Sequence, residues 1–186
     1  MTTDADPPVV LVVMGVSGTG KSTVAGVLAG RLGWDLEEGD DLHPSQNVAK
    51  MAAGQPLTDD DRWPWLDKVS AWIQVRILSG APGIVTCSAL KRAYRDRIAE
   101  PGVVFVHLDG TREHIAAQLA KRRDHFMPVT LLDSQLAILE PLQPDEAGIA
   151  IGLGQPPREV AKEIMRQLDL TAMDPPHVNA EGLIDA

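Results

Sequence analysis

The chain has 186 residues, 44% of them hydrophobic, which suits one well-buried domain rather than two. Seventeen Lys and Arg against 26 Asp and Glu give a formal net charge of −9, which argues against nucleic-acid binding by general phosphate neutralisation. No apolar run reaches membrane-spanning length, no basic start followed by an apolar stretch resembles a secretion signal, and the single Cys87 rules out an intrachain disulfide, so a cytoplasmic protein is expected.

Residues 1–8 and 171–186 lack an apolar pattern and read as tails around one domain over 9–170. Val9 to Met14 is a continuous β-branched run, the pattern of a strand buried on both faces. Val24, Val27, Leu28 and Leu32 then share a helix face, and Gly33 stops that helix. Trp34 to Glu38 reads as a second strand. Pro44 opens a helix ending near Ala53–Gly54. Asp59 to Asp61 can cap the next helix, with Pro64 in its first turn and Trp65, Leu66, Val69, Trp72, Ile73 and Ile77 at helical spacing.

Gly83 to Cys87 is a third strand, Lys91 to Ala99 a helix and Val103 to Leu108 a fourth strand. Thr111 caps a helix to about Arg122. Thr130 and Asp133 suggest a capping box for a helix carrying Leu131, Leu132, Gln135, Leu136 and Leu139. Gly148 to Ile151 is a fifth strand, and Val160, Ile164 and Leu168 lie on one face of the last helix. This alternation predicts a parallel sheet wrapped by helices.

Gly15-Val16-Ser17-Gly18-Thr19-Gly20-Lys21-Ser22 matches the phosphate-loop pattern G-x-x-x-x-G-K-[ST], placed between a buried strand and a helix. Glycines let the chain wrap a phosphate, and the backbone N–H groups from Gly18 to Ser22 point inward with the helix dipole behind them. Lys21 is assigned to the β- and γ-phosphates of a bound nucleotide, Ser22 to Mg²⁺ and Thr23 to the α-phosphate. The bland alternative is a glycine-rich turn. No Asp-x-x-Gly with Asn-Lys-x-Asp pair marks a GTPase, and the length suits a small kinase.

Asp40, in Gly39-Asp40-Asp41-Leu42-His43-Pro44, follows the second strand, where ligands of open α/β sheets sit. A carboxylate there can take a hydroxyl proton or orient a water on Mg²⁺; the alternative is a solvated acidic turn shared with Glu37, Glu38 and Asp41. The run Gly39 to Met51 is similar to the gluconokinase pattern G-D-x-x-H-P-x-x-N-x-x-K-M, and Gly54 to Leu66 to G-x-P-L-x-D-x-D-R-x-P-W-L. Cys87 to Asp96 resembles C-S-A-L-K-x-x-Y-R-D, and His125-Phe126-Met127-Pro128, Ser134-Gln135 and Leu139-Glu140-Pro141 follow in order. The resemblance covers residues 9 to 168. It implies a P-loop NTPase fold with a five-stranded parallel sheet in the order 2-3-1-4-5 and helices on both faces. It also implies ATP-dependent phosphorylation of D-gluconate at its 6-hydroxyl.

For that task His43, Lys50, Asp60, Arg62, Ser88, Lys91, Arg95 and His125 are the acceptor candidates, with Arg95 or Lys91 facing the carboxylate and Asp40 the hydroxyl. Lys50, Arg62 and Arg95 as exposed helix cations, and His43 as a helix cap, are the alternatives. Cys87 reads as a buried small hydrophobe, and no histidine pair has zinc-motif spacing. A lid is expected over 120–140, with Arg122 covering the phosphates. Here the chain reads Arg122-Arg123-Asp124-His125-Phe126 where the family often has Arg-Lys-Gly-His-Phe. Gln155 and Pro156 are assigned to the adenine loop. A homodimer is left open. The rival readings are a shikimate-type or adenylylsulfate-type kinase and a non-catalytic nucleotide-binding regulator.

Overall fold

The computed structural model describes residues 10–121 and 129–173. Residues 1–8, most of the 171–186 tail, and Arg122 and His125 of the expected lid therefore lie outside the described residues. Strands β1 (Val10–Met14), β2 (Asp35–Glu38), β3 (Gly83–Thr86), β4 (Val103–Asp109) and β5 (Gly148–Gly152) form one sheet in the order β2-β3-β1-β4-β5. Every pairing is parallel, so all five strands end at the same edge. Val13 and Glu38 both pair with Thr86, which aligns the ends of β1, β2 and β3.

β1 is buried at every position, as its unbroken apolar run requires. Its side chains alternate between two cores. Leu11 and Val13 meet Val24, Leu28 and Leu32 of α1 (Lys21–Leu32) and Val160 and Ile164 of α7 (Pro157–Gln167). Val10, Val12 and Met14 meet Trp65, Leu66, Val69 and Ile73 of α3 (Asp59–Ser79), with Tyr94 and Ile98 of α4 (Arg92–Ile98). The remaining helices are α2 (Ser45–Ala52), α5 (Arg112–Lys121) and α6 (Val129–Ile138).

Three local expectations change. Thr58, not the aspartates alone, caps α3: its hydroxyl accepts from the Asp61 N–H at 3.2 Å, and the Asp61 carboxylate accepts from the Thr58 N–H at 2.9 Å. The helix therefore starts at Asp59 and Pro64 falls in its second turn, on the exposed side. Thr130 does not cap α6, which already begins at Val129; Asp133 instead binds Arg112 of α5 at 2.7 and 3.0 Å. Between β2 and α2 the chain makes a single 3₁₀ turn, Gly39–Leu42, which the sequence pattern did not show.

Candidate active site

The phosphate loop joins β1 to α1. Gly20, in the left-handed region at φ 85°, precedes the first helical residue, Lys21. The N–H groups of a helix's first turn have no intrahelical acceptor, and the positive end of the helix dipole lies there. Gly18 is needed for space as well as for its φ of 88°: a Cβ there would lie 2.5 Å from Leu119 Cγ. The Thr19 hydroxyl and the Lys21 ammonium both donate to Val16 O, at 3.0 and 3.1 Å, which keeps the loop wound. Thr23 sits exposed on the first turn of α1.

Two other segments grip the loop. The Gly15 N–H donates to Ser88 O at 3.3 Å. On the other flank, Gln135 of α6 accepts from the Ser17 N–H at 2.7 Å and donates to the Ser17 hydroxyl at 3.2 Å. Sequence reasoning placed Gln135 only on a helix face, because a helical period cannot show which distant loop the face will meet.

Ser22 Oγ donates to Glu38 Oε2 at 2.9 Å, and Thr86 Oγ1 donates to the same oxygen at 2.7 Å. Thr86 Oγ1 in turn accepts from the Gly39 N–H at 3.1 Å. Glu38 thus ties the last residues of β2 and β3 to the start of α1. The turn after it allows no side chain at its first residue: a Cβ on Gly39 would sit 1.9 Å from Thr86 O. The Gly39 carbonyl accepts from Trp65 Nε1 at 2.7 Å. This close seating delivers Asp40, the next residue, to the strand ends.

One cleft opens there. Ser17, Lys21, Asp40, His43, Arg62 and Ser88 line it, together with Met51, Gln55, Pro56, Leu57, Trp65, Leu131, Ser134 and Gln135. Arg62 is buried and donates to Leu57 O at 2.7 Å and to the Tyr94 hydroxyl at 3.2 Å. His43 stacks on Trp65, with ring centres 4.1 Å apart and planes 16° apart. Burial drives the His43 pKa down to about 4, against the opposing pull of Asp40. Cys87, next in sequence to Ser88, is buried, and burial pushes its thiol up to about 12, which disfavours the thiolate a nucleophile needs.

Four expected acceptor residues do not line this cleft. Arg95 is fully buried and paired with Glu146 at 2.5 and 3.0 Å. Lys91 binds Asp59 at 2.9 and 3.0 Å. Lys50 grips Asp61 at 2.7 and 2.8 Å, and this ammonium is the leading cause holding the Asp61 carboxyl at about 2. Asp60 is exposed on the first turn of α3. Gln155 lines a separate depression with Gly152, Glu163 and Gln167, and Pro156 precedes the first turn of α7.

No protein-family model matches the chain. It is 49% identical over 161 residues to a gluconokinase of Gluconobacter oxydans, covering 86% of this chain and 90% of that protein. It is 44% identical over 140 residues to the thermosensitive gluconokinase of Escherichia coli, covering 74% and 75%. The crystal structure of a gluconokinase from Sinorhizobium meliloti superposes with a TM-score of 0.79 at 44% identity, covering 87% of this chain and 92% of that one. An adenylylsulfate (APS) kinase of Mycobacterium tuberculosis, at 19% identity and TM-score 0.59, shares the fold alone. The P-loop kinase fold, the phosphate loop lining one cleft and these relatives agree: the chain belongs to the gluconokinase family.

Proposed function

We propose that this chain transfers the γ-phosphoryl group of ATP to the 6-hydroxyl of D-gluconate, giving 6-phospho-D-gluconate and ADP. The observation that carries this reading is the convergence of Lys21, Asp40, Arg62 and Ser88 on one cleft in a chain of this family. The acceptor oxygen forms its bond to the γ-phosphorus as the bond to the β–γ bridging oxygen breaks. Asp40 accepts the hydroxyl proton. Lys21 and the N–H groups around Gly20 neutralise the phosphates, and Arg62, His43 and Ser88 hold the polyol.

The residues fit Mg²⁺. Ser22 and Glu38 supply a hydroxyl and a carboxylate, hard oxygen donors of the kind that ion takes. Bound there, Mg²⁺ supplies charge neutralisation for the phosphates. Sequence reasoning left Glu38 in an acidic turn; its contact with Ser22 makes it a second residue for holding the ion. No helix among the described residues is long and apolar enough to cross a membrane, and the cytoplasm is the compartment an ATP-dependent sugar-acid kinase implies.

The test is ATP consumption with Mg²⁺ and D-gluconate, its epimers, shikimate, D-glucose or no acceptor. Turnover that needs gluconate is expected. ATP binding without gluconate turnover would overturn the acceptor assignment. A further prediction concerns the clasp on Ser17. Gln135→Ala removes two hydrogen bonds between α6 and the phosphate loop, and kcat/KM for ATP is expected to fall about tenfold. Steady-state kinetics showing less than a twofold change would mean that turnover does not use the clasp.

A further inference from the structure

Asn47 of α2 is fully buried, yet its side chain is not fully satisfied. Its Nδ2 lies 2.8 Å from Asp61 O and 3.3 Å from His43 Nδ1. Its Oδ1 has no hydrogen-bond partner among the described residues. An unpaired buried oxygen costs stability and returns none. What the side chain supplies is therefore its two N–H groups.

These contacts fix the proton on the histidine. A carbonyl oxygen only accepts, so the atom facing Asp61 O must be the amide nitrogen; the flipped amide would set two oxygens against each other. The same nitrogen aims its second hydrogen at His43 Nδ1. A ring N–H there would oppose an amide N–H, so Nδ1 holds a lone pair. Neutral imidazole has one ring proton, which is left on Nε2.

The ring's plane is held too. It stacks on Trp65, and Trp65 Nε1 is anchored to Gly39 O, the carbonyl just before Asp40. The His43 backbone N–H donates to the Asp40 carbonyl oxygen at 3.3 Å. The ring and Asp40 thus belong to one rigid turn.

We propose that Asn47 is a positioning residue that locks His43 in the Nε2–H tautomer, so that the cleft presents a neutral, directed donor to an acceptor hydroxyl or carboxylate oxygen. The idea builds on the gluconokinase reading for the identity of the acceptor. The charged groups around the ring are Asp40 from its own turn and Arg62 and Lys68 from α3. The two cations join burial in disfavouring a charged ring, while Asp40 alone favours it. The donor consequently stays the same across neutral pH. The polyol is recognised at this point by direction rather than by charge, which leaves Lys21 and Arg62 as the cleft's cationic contacts among the described residues.

The first measurement needs no substrate. Long-range ¹H–¹⁵N spectra of the full chain labelled at histidine, recorded from about pH 5.5 to 8, report each ring's tautomer and titration. A His43→Gln sample identifies the signal. The Nε2–H tautomer, unchanged over that range, is expected. An Nδ1–H tautomer, or titration near the usual histidine value of about 6.5, would overturn the proposal.

The second measurement links the tautomer to function. Asn47→Leu keeps the volume and removes both donors. The histidine should then show mixed tautomers, and the gluconate KM should rise about tenfold with the ATP KM unchanged. In a His43→Leu background the same change should shift the gluconate KM less than twofold. An equal rise in both backgrounds would reduce Asn47 to a brace between α2 and α3 and overturn the proposal. Should gluconate not be a substrate at all, the activity reading fails while the spectra still decide the tautomer. Should Asn47→Leu not fold, the wild-type spectra still decide it.

Discussion

Asp40→Asn is expected to lower gluconate-dependent turnover about 10³-fold while changing the ATP KM less than threefold. Asparagine has the same shape but cannot accept the hydroxyl proton. The turn would survive the change, because its geometry rests on Gly39 against Thr86 and on Trp65 Nε1 bonding Gly39 O, not on the Asp40 carboxylate. Lys21→Ala should cost about as much in turnover, since it deletes a preorganised cation at the transferring group, and should also raise the ATP KM. Steady-state kinetics on the two variants separates the roles. If Asp40→Asn keeps more than about a tenth of wild-type turnover, the proton leaves by another route and Asp40 is not the base.

Arg95→Met is expected to destabilise the fold by about 3–5 kcal/mol, the cost of stranding one member of a buried ion pair. Arg95 is fully buried, and Glu146 nearly so. The guanidinium binds both Glu146 oxygens and donates to the carbonyls of Ala89, Leu90, Glu140 and Pro141. Ala89 needs that support, for its φ of 44° is one an L-residue rarely adopts. Adding Glu146→Leu to the variant should recover part of the loss, because no charge then stays buried alone. Denaturant melts give both numbers. An unchanged midpoint with a gluconate KM raised tenfold would instead make Arg95 a direct ligand of the acceptor's carboxylate.

The contrast between these two residues shows what a sequence carries. Asp40 follows a strand, and strand ends are where parallel sheets bind ligands, so its place was readable from local pattern alone. The strands were readable for the same reason: β1 is an unbroken apolar run, and its burial on two faces follows directly. Arg95 was read as facing the acceptor's carboxylate, with an exposed helix cation as the alternative, because its partner, Glu146, lies 51 residues away and has no local signature. Glu38 was hidden differently. It sits in a run of carboxylates, and only the placing of β2 beside β3, with α1 alongside, brings it to Ser22 and Thr86. The start of α3 was misjudged by weighing Asp59 to Asp61 alone, although Thr58 and Asp61 have capping-box spacing. For α6 the pattern named a capping pair, but Arg112 took Asp133.

The phosphate loop is laced on both flanks, to Ser88 O at Gly15 and to Gln135 at Ser17. Ser88 and Gln135 both line the cleft, Gln135 from α6. A nucleotide seated in this loop therefore bears on a segment bonded to both walls of the cleft. The affinities of the two substrates are then linked, and the linkage is reciprocal. Whatever factor ATP imposes on gluconate affinity, gluconate must impose on ATP affinity, and loosening either lace should move that shared factor toward one.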